Sequence, residues 1–240
     1  QKGETMKEFI FLIVLFIANI IQAITGFAGT VLAMPASMFL LGIDDAKVVL
    51  NVMALISGLL IAISSYKSIN KKELLKICTI MIIGMCIGIQ LCKVISSEWL
   101  LIVYGIIIIV VAGKNLLIHK EHHLPGILLL CVLIIAGIIH GMFVSGGALL
   151  VVYATQTFKD KDEFRATIAP VWVVLNSFLI ASQIHSHQFN INNIRLILIS
   201  IVPLMIATWI GKRLAQKVSQ KLFLTITYIL LLISGISLIV

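Results

Sequence analysis

Ile139-His140-Gly141-Met142-Phe143-Val144-Ser145-Gly146-Gly147 repeats, 118 residues on, the stretch Ile21-Gln22-Ala23-Ile24-Thr25-Gly26-Phe27-Ala28-Gly29. Each copy is a glycine-bearing break in an apolar stretch too long for a loop and too interrupted for one plain span. The same offset lays Asp44-Asp45-Ala46-Lys47 over Asp162-Glu163-Phe164-Arg165, an acidic pair and then a base at one spacing. Further on, Gly88 with Ile95-Ser96 matches Gly211 with Val218-Ser219 at an offset of 123, so the second half carries about five extra loop residues. The chain is written twice.

Composition places both copies in a bilayer. With 60% hydrophobic and 12% charged residues, the chain departs from a soluble domain, in which about a quarter of residues are charged. Apolar runs at 48–64, 77–91, 100–111 and 194–210 are separated by short charged loops. Several reach the roughly 20 residues that a helix needs to cross a hydrocarbon core, once their small and polar flanks are counted. The longest polar stretch, 114–123, is only a linker. Residues 1–5 before Met6 read as an expression remnant. Lys7 and the run behind it resemble a signal peptide, but that run recurs at 127–139 inside the repeat and is expected to stay in the fold.

The net charge of +8 is a matter of orientation. Its lysines and arginines sit in loops and form no basic stripe with interleaved aromatics, which excludes nucleic acid as partner. Cys78, Cys86, Cys92 and Cys131 show no CxxC or Cys/His ligand spacing. His119, His122 and His123 lie together with no carboxylate or cysteine framework, so no metal site is expected.

Loop charges decide whether the long blocks at 9–42 and 125–158 cross once or return as hairpins. Single crossings divide the 18 basic residues evenly and leave no orientation signal. Hairpins put Lys2, Lys7, Lys47, Lys93 and Arg195 on one side and the other thirteen opposite, as the positive-inside bias requires. The expected architecture is therefore an all-α polytopic membrane protein of two inverted repeats, each a broken-helix hairpin followed by three transmembrane helices. The first repeat spans 6–118, with hairpin 9–42 and helices 46–66, 73–92 and 98–118. A cytoplasmic linker follows at 119–124. The second repeat spans 125–240, with hairpin 125–158 and helices 163–183, 193–211 and 220–240. Both termini lie outside. The 16 residues at 9–24 make about 24 Å of helix, short of a full crossing.

Interrupted segments at corresponding positions of two halves point to the binding site of a secondary transporter. No Asp, Glu, Lys or Arg falls near the middle of an expected span, which argues against a cation carrier built on a buried carboxylate. A polar substrate is left with backbone, hydroxyl, amide and imidazole groups. The hairpin tips hold these: Gln22, Thr25, Gly26 and Gly29 in the first, His140, Ser145, Gly146 and Gly147 in the second. A helix restarting after the glycines offers free N–H groups and a positive dipole end, an anion site. His140, the one histidine inside an apolar segment, either is a hydrogen-bonded core imidazole or carries a coupled proton.

Arg165, Ala169, Trp172, Asn176 and Gln183 fall on one face of the helix after the second hairpin. Lys47, Asn51, Ala54, Gly58 and Ser65 do so after the first. Both stripes are small or polar and are expected to face inward. Arg165, Trp172, Asn176 and Asn51 join the candidate binding residues, with Asn51 and Asn176 equally suited to interhelical hydrogen bonding. Arg165 and Lys47 suit anion-attracting gates at opposite mouths. For Arg165 a positive-inside anchor is the alternative.

The glycine-rich hairpin in each half, with Phe164-Arg165-Ala166-Thr167 after the second, resembles the sulfite exporter TauE/SafE family of membrane permeases. The resemblance covers residues 9–240, including the two-repeat layout and size; the first hairpin keeps only Gly26 and Gly29 with Pro35 of the family pattern. It implies export or uptake of sulfur-containing anions such as sulfite, sulfoacetate or other organosulfonates across the bacterial inner membrane. No P-loop is present, so neither a cofactor nor a nucleotide-hydrolysing module is expected. The expected partners are a small anion, the lipid bilayer and a second copy as homodimer. Carriage of another anion or a lipid phosphate, a non-transporting scaffold, and a membrane enzyme using His140 and Ser145 are the alternatives.

Overall fold

The computed structural model describes residues 2–94, 97–117 and 124–239. Among these every regular element is a helix: α1 Lys2–Thr25, α2 Ala28–Leu41, α3 Ile43–Ser65, α4 Lys71–Leu91, α5 Ser97–Leu117, α6 Gly126–Phe143, α7 Gly147–Thr157, α8 Lys161–His185, α9 Ile191–Ala215 and α10 Gln220–Ile239. A 3-10 turn, Tyr66–Ser68, follows α3. The His119, His122 and His123 group and most of the linker lie outside the described residues. Among the described residues six helices are long and apolar enough to cross a membrane: Gly3–Thr25, Ile43–Ser68, Lys71–Leu91, Gly126–Phe143, Lys161–His185 and Ile191–Ala215. The chain is a multi-pass membrane protein.

Their amphipathicity is that of a lipid-facing bundle. Phe9, Ile13 and Ile17 on α1, and Leu198, Val202, Met205 and Trp209 on α9, are exposed, while the polar Asn19, Gln22, Ser200 and Thr208 of the same helices are buried. Large apolar side chains can turn outward because hydrocarbon, not water, meets them, and polar groups turn inward to find partners.

The first arm is longer than expected. α1 reaches back to Lys2 and has 24 residues, about 36 Å of helix at 1.5 Å per residue. The shortfall came from counting only the apolar run. The polar first turns continue the helix, and Glu8 there accepts a hydrogen bond from Arg195 at 2.9 Å. Its return arm α2 has 14 residues and α7 has 11, both too short to cross a core about 30 Å thick. α9 runs on to Ala215, four residues beyond the expected end at 211.

Helix pairing links the two halves. α1 packs along α9 in parallel, Glu8 meeting Arg195 near the starts and Ile20 meeting Gly211 near the ends. α6 packs along α4, where Gly84 and Gly88 face the backbone of Ile134 and Ile138, and Gly137 and Gly141 face that of Met81 and Met85. No side chain fits at these four positions, so the backbones approach as closely as small residues allow. α3 and α8 cross antiparallel: Asn51 bonds to Gln183, and Gly58 sits against Ala169 and Trp172. α5 pairs with α10.

Candidate functional site

The two hairpin tips meet. A Cβ on Gly147 would lie 2.6 Å from the Phe27 carbonyl oxygen, so glycine there is needed for close approach rather than for a turn. The turns themselves fall on Gly26 (φ 84°) and Val144 (φ 55°), which are 118 residues apart and both left-handed. Glycine takes that conformation freely, whereas a β-branched valine is strained in it. Gly146 is likewise a contact residue: a Cβ there would collide with the Ala136 carbonyl oxygen and lie 3.0 Å from His140 Cβ.

At the first tip the amides are already used. Gly29 N–H donates to Gln22 Oε1 at 2.7 Å, and the Ala28 and Phe27 amides donate to Thr25 Oγ1 at 3.1 and 3.3 Å. Gln22 Nε2 and Trp172 Nε1 both donate to the Gly26 carbonyl, at 3.3 and 2.7 Å. Gln22 and Thr25 therefore act as side-chain caps for α2. The second tip lacks such caps, because the repeat places His140 where Gln22 stands and Phe143 where Thr25 stands. Among the described residues no hydrogen bond reaches the amides of Ser145, Gly146 or Ala148. The Ser145 hydroxyl bonds to Tyr104 Oη, whose ring stacks on Phe143 at 5.0 Å.

His140 is 1% exposed and lies 5.2 Å from the Trp172 ring. Its Nε2 is 2.9 Å from Asn176 Oδ1. With that oxygen accepting, the imidazole carries hydrogen on Nε2. Among the described residues His140 Nδ1 and Asn176 Nδ2 are buried without a partner. Tip, histidine, tryptophan and asparagine thus form one cluster.

Arg165 stands over the first tip, its Cγ 3.2 Å from where a Gly26 Cβ would be. It lines a cleft with Thr25, whose oxygen accepts from the Ala28 amide and whose hydroxyl donates to none of the described residues. Ile24, Phe158, Phe164, Ala215 and Val218 wall the cleft, with Lys161 and Asp162 also lining it. Among the described residues no ion pair or hydrogen bond reaches the half-buried guanidinium, and its Nε is fully buried.

Asn51 and Lys47 lie elsewhere. Asn51 Nδ2 donates to Gln183 Oε1 at 2.7 Å, joining α3 to α8. Lys47 is half-buried with its Nζ 3.8 Å from Cys92 Sγ, which in turn contacts the Met142 carbonyl. Each post-hairpin cation thus approaches the hairpin of the opposite half.

Sequence reasoning missed the partners of the acidic pair. Asn190 and Asn193 donate to Asp45 Oδ1 at 2.9 and 3.1 Å, and Asn70 Nδ2 donates to Glu163 Oε1 at 2.8 Å. Asn70 and Asn190 are also the N-caps of α4 and α9. Each uses its amide oxygen for its own helix and its amide nitrogen for the acid. Asn before an apolar helical run is a readable capping signal. Lys212, which donates to the Leu60 carbonyl at 2.7 Å, carried no signal beyond loop charge.

Among the described residues no group of three or more His, Cys, Asp or Glu is placed to hold a metal ion. The family model for the sulfite exporter TauE/SafE matches residues 10–238. No curated protein and no solved structure matches the chain. With nearly its whole length matched, the chain belongs to the sulfite exporter TauE/SafE family, membrane transporters of sulfur anions such as sulfite.

Proposed function

We propose that the protein is a secondary carrier that moves one small sulfur-containing anion, such as sulfite, sulfoacetate or another organosulfonate, across the bacterial inner membrane by alternating access. The observation that carries this reading is Arg165, a half-buried guanidinium that, among the described residues, has no hydrogen-bond acceptor, in a cleft beside a broken helix. Taking a charge out of water without a partner is costly, and an oxyanion bound bidentately by the planar fork offsets that cost. Thr25 donates its hydroxyl proton to the same anion. The apolar cleft walls suit the carbon skeleton of an organosulfonate.

Transport then follows from the arrangement of the halves as inverted repeats. In support, α3 and α8 hold equivalent places after the two hairpins and run antiparallel, as a two-fold axis across them would require. In this reading Asp45 with Asn190 closes one face, and Glu163 with Asn70 closes the other. α9 carries the first hairpin and α4 the second, so opening one clamp moves one hairpin. Both termini face outward, and the Arg165 cleft faces the cytoplasm. The anion passes from the cleft to the uncapped amides of the second tip, where Asn176 Nδ2 adds a donor. His140 takes up the coupled proton on Nδ1, the nitrogen that has no partner among the described residues.

The test is flux into proteoliposomes of the purified protein across a panel of sulfite, sulfoacetate, taurine, sulfate, acetate and chloride. The expected result is saturable flux of a sulfur oxyanion that depends on the pH gradient and loses that dependence in His140→Gln. A folded protein that moves none of them overturns the reading.

A further inference from the structure

The repeat carries the Arg165 cleft onto a second place in the molecule. At the offset of 118, Arg165 falls on Lys47, Ile24 on Met142 and Thr155 on Ser37; at 123, Ala215 falls on Cys92. These counterparts come from α3, α6, α2 and the turn after α4, and nothing in their spacing along the chain requires them to meet. Three of them do. Lys47 Nζ lies 3.8 Å from Cys92 Sγ, and that sulfur lies 3.6 Å from the Met142 carbonyl oxygen. Arg165 lines a cleft, whereas Lys47 is in contact with the residue that stands where the cleft wall Ala215 does.

The group is short of acceptors. A thiol sulfur accepts hydrogen bonds weakly, yet among the described residues it is the one hydrogen-bond partner of the half-buried Lys47 ammonium, and no ion pair reaches it. Of the carboxylates beside it in the chain, Asp45 accepts from Asn190 and Asn193, and Asp44 is exposed. Ser37, in the place of the cleft residue Thr155, is fully buried, and among the described residues its hydroxyl has no partner. Withdrawing a cation from water without a strong acceptor is costly, and an oxyanion brings the ammonium both opposite charge and oxygen acceptors.

We propose that Lys47, Cys92, Met142 and Ser37 are the outer counterpart of the Arg165 cleft, shut in this conformation, and that Lys47 binds the same sulfur oxyanion when the Asp45–Asn190 clamp opens. The ammonium then turns from the thiol to the anion, and Cys92 is uncovered. This rests on the carrier reading above and adds its second binding site.

The test is the labelling rate of Cys92 in the purified full chain in detergent, with the other cysteines, Cys78, Cys86 and Cys131, replaced by alanine. The reagent is a trimethylammonium thiosulfonate, whose positive charge keeps it from acting as the anion. The ligand is sulfoacetate, because sulfite attacks the reagent. Asn190→Asp, which parts the clamp, is expected to raise the labelling rate, and sulfoacetate to slow it. In that background Lys47→Gln should raise the half-protecting concentration of sulfoacetate about tenfold, the scale of one lost charge-assisted contact. Lys47→Arg, which keeps the charge, should retain protection and shows that the fold survives at this position. An unchanged labelling rate in Asn190→Asp, or the same half-protecting concentration in Lys47→Gln as with Lys47 intact, overturns the outer site while leaving the carrier reading in place. So does a lack of protection while sulfur-oxyanion flux persists. Absence of both protection and flux overturns both.

Discussion

Asp45 Oδ1 accepts a hydrogen bond from Asn190 Nδ2 at 2.9 Å, and the same relationship recurs between Glu163 and Asn70 at 2.8 Å. Each bond crosses from one half of the chain to the other. Each also uses an asparagine that caps its own helix, its amide oxygen accepting from the helix while its amide nitrogen donates to the acid. Asn70 is held further by its backbone N–H to Thr167 Oγ1 at 3.0 Å.

If these bonds are gates, Asn→Asp breaks them selectively. Aspartate still caps the helix but repels the facing carboxylate. Asn70→Asp is expected to raise the labelling rate of a cysteine placed at Phe158, in the cleft, by a membrane-impermeant thiol reagent. Asn190→Asp should lower it. Shifts in the same direction would remove the gating assignment.

Val144 and Gly26 occupy one repeat position with one left-handed conformation. A valine there costs about 1–2 kcal/mol relative to a conformation it prefers. Val144→Gly is therefore expected to leave melting in detergent unchanged or to raise it, despite the loss of a buried side chain. Gly26→Val should lower it, since the added side chain also meets Arg165.

Gln22 satisfies both the Gly29 amide and the Gly26 carbonyl in the buried first tip. Gln22→Ala leaves that amide unpaired, a loss of about 1–3 kcal/mol visible as a lower melting temperature. Thr25→Ser should retain the cap and the flux; Thr25→Val should lose both.

The α4–α6 interlock is the packing control. Gly84→Leu or Gly137→Leu forces backbones apart, at about 1–3 kcal/mol or more. Gly113, which has open space around it, should accept alanine and gain about 0.5–1 kcal/mol of helix propensity. Melting of the purified variants reads both.

The helical membrane class was legible because it rests on composition and on run lengths, which a bilayer imposes directly. The hairpin breaks were legible because a repeat marks them twice. What each glycine does was not. Gly146 and Gly147 mark the second break and read as binding residues, yet they serve close approach to the Ala136 and Phe27 carbonyls, and the left-handed turn falls on Val144. The amides of the first tip read as free for an anion, yet Gln22 and Thr25 take them. A side chain folding back on its own tip leaves no periodic trace. The clamps were half legible: the acids repeat at 118, but their partners depend on which helices pair in space.

Saturable flux of a sulfur oxyanion into proteoliposomes, compared between wild type and Arg165→Gln, tests the central claim most directly. Saturable, competable flux is expected in the wild type and is lost in Arg165→Gln, with protein yield and melting preserved. Undiminished flux in Arg165→Gln would contradict it, since a carrier working without this guanidinium binds its anion elsewhere.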